Sequence, residues 1–257
     1  MRRVAFVNEK GGTCKTTLCV NIGAWLARQR GLRVLVADLD TQGHAGKSLG
    51  LDVREISPTI RDLLLDPGLP VEAVARPTAV PGLEVLPANK ALAAFPVEVA
   101  AHPDRAGKLQ ALVARLPAGR YQLVLFDAPP SVSLVTENVF RAAGEVVIPV
   151  ALTYLALDGC AEILQSLEGL KASRGEAPRL GMVVATLHRK TQLADEILSK
   201  LRERFPQELS PTVLGWSVKV DEAQSHGQTV FEYAPRSRGA KALAALAEEL
   251  WARSPAE

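Results

Sequence analysis

The chain has 257 residues, of which 47% are hydrophobic and only 5% aromatic, and its formal net charge is +2. This length suits one large α/β domain with an aliphatic core, and the charge is too small to indicate a nucleic-acid-binding protein by composition alone. Three cysteines without a metal-ligand spacing, no signal peptide and no apolar run long enough to cross a bilayer predict a cytoplasmic protein in a reducing compartment.

Short apolar runs alternate with helical patterns along the whole chain. Several runs are continuous stretches of Val, Leu and Ile, which is typical of strands covered on both faces of a parallel sheet. The alternation predicts a single doubly wound α/β domain over residues 1–257, with a mostly parallel central sheet flanked by helices. Strands are predicted at 4–7, 34–37, 83–86, 123–126, 146–150 and 182–185, and helices at 16–30, 58–65, 105–116, 158–171, 193–205 and 239–251.

Three further local predictions concern the ends of two helices and one loop. The first helix is expected to end before Gly31, a common C′ residue, and Ser57-Pro58 is expected to cap the second helix. Residues 66–81 contain four prolines and are predicted to form a loose surface excursion.

A glycine-containing turn follows the first strand, with the sequence Asn-Glu-Lys-Gly-Gly-Thr-Cys-Lys-Thr-Thr over residues 8–17. Such a turn exposes backbone N–H groups, and the next helix presents its positive N-terminal end to an anion. Lys15 would lie along the β- and γ-phosphates of a nucleotide, and the Thr16 hydroxyl would coordinate Mg²⁺. An ordinary Gly-rich turn is the weaker interpretation, because strand, glycines, Lys-Thr-Thr and helix occur in this order. The expected nucleotide-binding residues are Lys10, Gly11, Gly12, Thr13, Cys14, Lys15, Thr16 and Thr17.

Cys14 departs from the standard phosphate loop, which has glycine at this position and at that of Glu9. A Cβ restricts positive φ values and the approach of phosphate to the backbone. A helix N-terminus can lower the pKa of a thiol, which would permit redox sensing. We favour the simpler interpretation that a small side chain is tolerated here.

Acidic residues follow two of the predicted strands. Asp38 and Asp40 end the strand at 34–37, and Asp127 ends the strand at 123–126, before Ala-Pro-Pro-Ser. Carboxylates at the carboxyl ends of parallel strands lie in the crevice where such sheets bind ligands. Four apolar residues followed by Asp are the Walker-B form, so Asp127 would hold Mg²⁺ through water. A plain strand end and turn remains the alternative for Asp38 and Asp40 taken alone.

These segments resemble the deviant Walker-A ATPases of the ParA/MinD superfamily, and most closely the small, Soj-like ParA partitioning proteins. The resemblance rests on Lys-Gly-Gly-x-x-Lys-Thr at 10–16, Asp-Leu-Asp-Thr-Gln-Gly-His at 38–44 and Asp-Ala-Pro-Pro at 127–130. It continues through Tyr-Leu-Ala-Leu-Asp-Gly at 154–159, Asp-Glu-Ala-Gln-Ser-His-Gly at 221–227 and Tyr-Ala-Pro-Arg-Ser-Arg-Gly-Ala at 233–240. It therefore covers nearly the whole chain.

The resemblance implies a Mg²⁺-dependent ATPase with a weak intrinsic rate that dimerises around ATP. Lys10 would reach the nucleotide of the partner copy, and Asp40 would position the attacking water. Lys10, Lys15 and Asp40 are thus the expected catalytic residues, and Thr16, Asp40 and Asp127 the expected metal-site residues. The family contacts adenine at positions that are Gly215 and Ser217 here, although neither keeps the family's residue type.

The resemblance also implies partners. The ATP-bound dimer would bind DNA without sequence preference and associate with the nucleoid, and a ParB-like or cargo-adaptor protein would stimulate hydrolysis. Trp216 stands where the family has a DNA-binding arginine. The basic residues expected to contact DNA are Arg189, Lys190, Lys219, Arg236 and Arg238.

Three alternatives remain at this point. A MinD-like, membrane-recruited switch would need a basic amphipathic C-terminal helix, and Glu248 and Glu249 disfavour it. A ParA-like protein could act through protein partners alone, as Trp216 suggests. A metabolic or redox enzyme with the same loop, such as a cluster-binding iron protein, would need more cysteines than Cys160 outside the phosphate loop and its helix.

Overall fold

The computed structural model of the protein describes residues 1–153 and 156–253. Of residues 156–158, within the second range, it describes the backbone alone. Strands and helices alternate through it, as predicted. The strands are β1 (Arg2–Phe6), β2 (Val34–Asp38), β3 (Arg76–Pro77), β4 (Leu83–Leu86), β5 (Leu123–Asp127), β6 (Glu145–Ala151), β7 (Arg179–His188) and β8 (Leu214–Gly215). The helices are α1 (Lys15–Arg30), α2 (His44–Ser48), α3 (Ile60–Leu65), α4 (Phe95–Glu98), α5 (Lys108–Ala114), α6 (Leu134–Ala142), α7 (Ala156–Arg174), α8 (Gln192–Arg204), α9 (Val218–Ser225), α10 (Val230–Tyr233) and α11 (Arg238–Ala252), with 3₁₀ turns at Val71–Ala73 and Lys90–Ala94.

The strands form one sheet in the order β3-β4-β2-β5-β1-β6-β7-β8. All neighbouring pairs are parallel except β3 and β4, which are antiparallel. The α/β class and the mostly parallel sheet are therefore confirmed. The six predicted strands are present with ends shifted by at most a few residues. The two-residue edge strands β3 and β8 were not predicted, because segments this short carry no periodicity.

Helices cover both faces of the sheet, and successive strand residues point to opposite faces. In β1, Ala5 belongs to one hydrophobic cluster, whereas Val4 and Phe6 belong to the other. The second cluster includes Leu18 and Ile22 of α1, which packs against α11. Strands buried on both sides explain why their sequences read as continuous apolar runs.

The ends of the helices confirm some local predictions and correct others. Gly31 follows α1 with a φ of 63°, the left-handed conformation expected of a C′ glycine. Ser57 is not the cap of α3: Thr59 is, in a capping box with Asp62. The helix predicted at 105–116 is shorter, at Lys108–Ala114.

The segment at 66–81 is more ordered than predicted. Val71 and Val74 are buried in the core, and β3 pairs with β4. These buried side chains hold the segment against the core, although its four prolines had suggested a loose surface loop. Tyr154 and Leu155 of the family motif, and residues 254–257, lie outside the described residues. No helix in the described part of the chain combines the length and apolar character needed to cross a bilayer.

Candidate functional site

The phosphate loop joins β1 to α1 at the carboxyl edge of the sheet. Gly12 has a φ of 71°, and a Cβ at Gly11 or Gly12 would meet nothing within 4 Å. The loop backbone therefore faces open space, as a phosphate cradle requires. Asn8 fixes the start of the loop, because its side-chain amide donates to Pro149 O (2.8 Å) and its Oδ1 accepts from Lys10 N (2.9 Å).

Lys15 is buried in this loop and its ammonium donates to the carbonyl oxygen of Lys10 at 3.0 Å. Burial lowers the pKa of Lys15, while the nearby carboxylates of Asp127 and Asp40 act in the opposite direction. The ammonium group thus lies between the loop backbone and an acidic cluster. A bound polyphosphate would offer it stronger, charged acceptors than a carbonyl oxygen.

Cys14 occupies the left-handed region with a φ of 70°, although it is not glycine. This conformation costs a residue with a Cβ on the order of 1 kcal/mol. Burial raises the pKa of the Cys14 thiol to about 11, although Thr186 and Lys15 act to lower it. The direction is opposite to the one that redox sensing through a reactive thiolate would need, so the structure argues against that interpretation.

Three aspartates meet where β2 and β5 end. Asp38 and Asp127 are paired in the sheet register. Thr16 Oγ1 donates to Asp127 Oδ2 at 2.7 Å, whereas the buried Asp127 Oδ1 has no hydrogen-bond partner within the described residues. Burial raises the pKa of Asp127 to about 7, against the effect of Thr16 and Lys15. A buried carboxylate oxygen beside a threonine hydroxyl fits a cation that prefers oxygen ligands, such as Mg²⁺.

Asp38 holds the turn that carries Asp40. Its two carboxylate oxygens accept from Asp40 N and Gly46 N, both at 3.1 Å. Burial, with Asp127 beside it, raises the pKa of Asp38 well above its usual range. Asp40 is half-buried, and its Oδ1 accepts from Gln42 N at 2.9 Å. This positioning role of Asp38 was not predicted, although the Asp-x-Asp spacing at a strand end was a signal for it.

A cavity of about 940 Å³ opens over these residues. Its wall includes most of the predicted nucleotide-binding loop together with Asp40, while Asp127 lies beneath, in contact with Thr16. Sequence reasoning missed several other lining residues, which come from α2, the 3₁₀ turn at Lys90–Ala94 and α9. The residues that line the cavity are Gly11, Gly12, Thr13, Cys14, Lys15, Thr16, Thr17, Leu39, Asp40, Thr41, Gln42, His44, Lys47, Ser48, Leu92, Ala93, Pro96, Pro129, Pro130, Ser131, Ser133, Val135, Gln224 and Ser225.

The C-terminal half contributes to this cavity through α9. Gln224 and Thr17 exchange side-chain hydrogen bonds of 3.1 and 3.3 Å, which link α9 to the first turn of α1. Gly215 and Ser217, the predicted adenine contacts, lie just before α9 and are not among the lining residues. Their role stays a prediction. Gln224 could have been noticed in the sequence, because it lies in the family-like motif at 221–227.

The predicted DNA-binding residues lie after the end of β7, in the first turn of α9 and at the start of α11. Trp216 N donates to His188 O at 3.2 Å, which joins the start of α9 to the end of β7. A Cβ at Gly239 would lie 2.8 Å from Ser217 Oγ, so the N-termini of α9 and α11 are adjacent. The five predicted DNA-binding residues are all exposed, and we call them the basic surface. They are Arg189, Lys190, Lys219, Arg236 and Arg238.

Two members of the basic surface have local partners. The Arg189 guanidinium lies 4.7 Å from the ring centroid of Trp216, whose exposed fraction is 49%. Lys219 Nζ lies 2.7 Å from Glu222 Oε2, and Glu222 also accepts from Tyr233. The Glu222 contact raises the pKa of Lys219, so this side chain stays charged.

Comparisons with known proteins agree with this geometry. The family model described as an AAA domain matches residues 1–179. The chromosome-partitioning ATPase Soj of Thermus thermophilus is 41% identical over 254 residues, covering 98% of this chain and 96% of that protein. The chromosome partitioning protein ParA of Caulobacter vibrioides is 33% identical, covering 98% of this chain and 95% of that protein.

Comparison with a solved structure shows that the similarity extends to the fold. The cobyrinic acid a,c-diamide synthase of Mycobacterium smegmatis, with a bound ATP analogue and magnesium, superimposes with a TM-score of 0.81 at 28% identity. The match covers 96% of this chain and 93% of that one. Because the chain has the phosphate loop and the paired aspartates and matches these relatives over nearly its whole length, it belongs to the Soj/ParA family of chromosome-partitioning ATPases.

Proposed function

We propose that this protein is a Mg²⁺-dependent ATPase switch that forms a homodimer with ATP and binds DNA non-specifically in that state. In this role it positions or segregates a chromosome, a plasmid or a protein cargo, and a ParB-like or adaptor partner stimulates its weak hydrolysis. The observation that carries the proposal is the contact of Asp127 with Thr16, which lines a nucleotide-sized cavity together with Lys15.

The nucleotide chemistry follows from residues already described. Lys15 and the N–H groups of residues 10–17 bind the phosphates, and Thr16 and Asp127 hold Mg²⁺, with Asp40 at the edge of that site. Bound Mg²⁺ neutralises charge on the phosphate oxygens.

Asp40 supplies the remaining function, which is to orient the attacking water. Asp40 is half-buried and lines the cavity. It lies in a turn that the buried Asp38 holds by accepting hydrogen bonds from two backbone N–H groups. A carboxylate held in this way accepts a hydrogen bond from water in a defined direction. Positioning is the main task that a protein performs in phosphoryl transfer.

Dimerisation would complete the site. The phosphate loop is exposed at Gly11 and Gly12, so one copy leaves this side of the cavity open to a second. By family resemblance, Lys10 of one copy reaches the nucleotide of the other. Because the triphosphate would then be shared between copies, ATP should favour the dimer and ADP should not.

The basic surface supports the DNA-binding part of the proposal. Its residues surround the N-termini of α9 and α11, which carry partial positive charge. Two copies in one dimer would double the phosphate contacts, so affinity for DNA should depend on ATP. Association with the nucleoid would follow inside the cell.

The proposal is tested with purified protein by sedimentation and by retention on long duplex DNA at low salt. With ATP and Mg²⁺ we expect a dimer that retains DNA of unrelated sequences, and with ADP a monomer that does not. EDTA should remove both effects. A protein that stays monomeric at saturating ATP, with nucleotide demonstrably bound, contradicts the switch.

A second candidate is a ParA-like ATPase that acts through a protein partner without DNA. The observation that favours it is Trp216, half-exposed beneath the Arg189 guanidinium where the family has a DNA-binding arginine. Aromatic and arginine side chains are enriched in protein interfaces. An ATP dimer that retains no duplex DNA at low salt would support this candidate over the first.

A further inference from the structure

A second cavity, of about 510 Å³, lies beside the nucleotide cavity. The two cavities share Thr41, Gln42 and Lys47, which follow the proposed water-positioning residue Asp40 in the chain. The second cavity is therefore contiguous with the nucleotide cavity on the side where hydrolysis would occur. It is called the side cavity below. Its lining residues are Thr41, Gln42, Lys47, Val53, Arg54, Asn89, Lys90 and Ala91.

The lining of the side cavity carries positive charge and no acidic side chain. Lys47, Arg54 and Lys90 are its basic residues, and in the part of the chain that the structure describes none of them forms an ion pair. Asp52 and Glu55 flank Arg54 in the chain but do not line the cavity. A concave site with several unneutralised cations attracts small anions.

The polar groups of the side cavity are held in place by the backbone. Asn89 Oδ1 accepts from Ala91 N at 3.0 Å, and its amide donates to Ile56 O at 3.2 Å. Lys47 Nζ donates to Gln42 O at 2.6 Å. The cavity thus presents an amide and an ammonium whose positions are already defined before any ligand enters.

The floor of the side cavity is joined to the loop that carries Asp40. Gly43 has a φ of 63°, and a Cβ there would lie 2.6 Å from Ala88 O and 2.9 Å from Val53 Cγ2. The Asp40 loop is therefore packed directly on the segment that precedes Asn89. An anion in the side cavity would contact the loop that carries Asp40, because Thr41 and Gln42 line that cavity.

We propose that the side cavity receives the inorganic phosphate released by hydrolysis, before it leaves to solvent. The inference rests on the proposed ATPase function. Hydrolysis breaks the bond between the γ-phosphorus and the β,γ-bridging oxygen, the oxygen of water stays on phosphate, and ADP keeps the bridging oxygen. Phosphate then passes from the nucleotide cavity along the shared residues Thr41, Gln42 and Lys47 towards Arg54 and Lys90, while ADP still occupies the phosphate loop.

The experiment measures the binding of inorganic phosphate calorimetrically to the full chain saturated with ADP and Mg²⁺, at constant ionic strength. The test variant carries Arg54→Glu and Lys90→Glu. The matched control carries Arg28→Glu and Lys200→Glu, an equal change of charge at exposed positions of α1 and α8 outside both cavities. We expect the phosphate affinity to fall at least about ten-fold in the test variant, which removes two charge-assisted contacts, and to stay at the wild-type value in the control.

Equal phosphate affinity in the wild type and the test variant overturns the proposal, and so does wild-type protein that binds no phosphate at millimolar concentration. A ten-fold loss in the control that carries Arg28→Glu and Lys200→Glu also overturns it, because the effect would then be one of overall charge. The titration needs no turnover, so its failure is distinct from that of the proposed function. The latter fails if the wild type with ATP and Mg²⁺ releases no phosphate at all.

Discussion

The nucleotide cavity and the basic surface are built in opposite ways. In the cavity, Lys15, Asp38 and Asp127 are buried and hydrogen-bonded within a sheet whose register brings the two aspartates side by side. On the basic surface, Arg189 and Lys219 are exposed; Arg189 lies over the Trp216 ring, and Lys219 pairs with Glu222.

The difference shows which region can change without loss of the fold. Removing one partner of a buried polar cluster leaves another buried group unsatisfied, which costs on the order of 1–3 kcal/mol. An exposed ion pair such as that of Lys219 and Glu222 is screened by water and contributes little to stability. Substitutions in the cavity should therefore alter the chemistry sharply, whereas those on the surface should alter partner binding and leave the ATP dimer intact.

The largest effect is expected for Lys15→Ala. Loss of the buried ammonium should weaken ATP binding about 100-fold or more, since several charge-assisted hydrogen bonds disappear together. Binding of a fluorescent ATP analogue measures this directly. Arg236→Ala, on the basic surface, is the control and should bind ATP as the wild type does. Equal losses in both variants would erase the distinction between the regions.

Asp40→Ala should separate chemistry from binding within the cavity. We expect ATP to bind and the dimer to accumulate, while the rate of phosphate release falls about 100-fold because the attacking water loses its orienting carboxylate. Sedimentation and a phosphate-release assay report the two properties. Hydrolysis at the wild-type rate would show that another group positions the water.

Lys219→Glu tests the surface. DNA retention by the ATP dimer should weaken, and the log–log slope of affinity against salt should flatten by roughly one unit for each DNA phosphate that the protein no longer neutralises. The dimer itself should be unaffected, as sedimentation would show. Lys200→Glu, exposed on α8, is the control of equal charge change. If Lys219→Glu and Lys200→Glu lowered the DNA affinity equally, Lys219 would not belong to the DNA interface.

Substitution of Cys14 tests whether its side chain, in the wall of the nucleotide cavity, has a role in ATP binding. Cys14→Gly removes the penalty of the left-handed conformation but adds the backbone entropy of glycine, so stability should change by less than about 1 kcal/mol. ATP should bind at least as well as to the wild type. Cys14→Val should destabilise the protein, because a β-branched residue adopts this conformation poorly. A large loss of ATP binding in Cys14→Gly would give the thiol an active role.

The smallest effect is expected for Glu9→Gln. Burial and the neighbouring Glu162 carboxyl raise the pKa of Glu9 to about 7, from 4.5. The folded state then binds more protons than the unfolded state between these values, so this group makes the wild type less stable as pH rises from about 5 to 8. Glu9 is only half-buried, so the effect should stay under about 1 kcal/mol.

Thermal unfolding at several pH values measures this contribution. The Tm of Glu9→Gln should rise relative to the wild type between pH 5 and pH 8 and match it near pH 4.5. Glu55→Gln, exposed in the loop before α3, is the control and should show no such trend. A constant difference across this range would mean that Glu9 does not titrate as described.

Sequence reasoning succeeded where a pattern is local. Continuous apolar runs located six strands, and the order of strand, glycines and Lys-Thr-Thr located the phosphate loop before α1. It failed at β3 and β8, which are too short to show a period, and at the cap of α3, where Thr59 rather than Ser57 completes a capping box. Both failures concern signals of two to four residues.

What the sequence by itself determined is the class of fold and the residues of the phosphate loop, because these depend on neighbours in the chain. Only the tertiary structure decided that Asp38 lies beside Asp127, that Gln224 reaches Thr17, and that Lys90 joins Arg54 in the side cavity. These pairs are far apart in the chain or come from different elements. Sheet order and the packing of loops over its carboxyl edge bring them together, and no local periodicity encodes that arrangement.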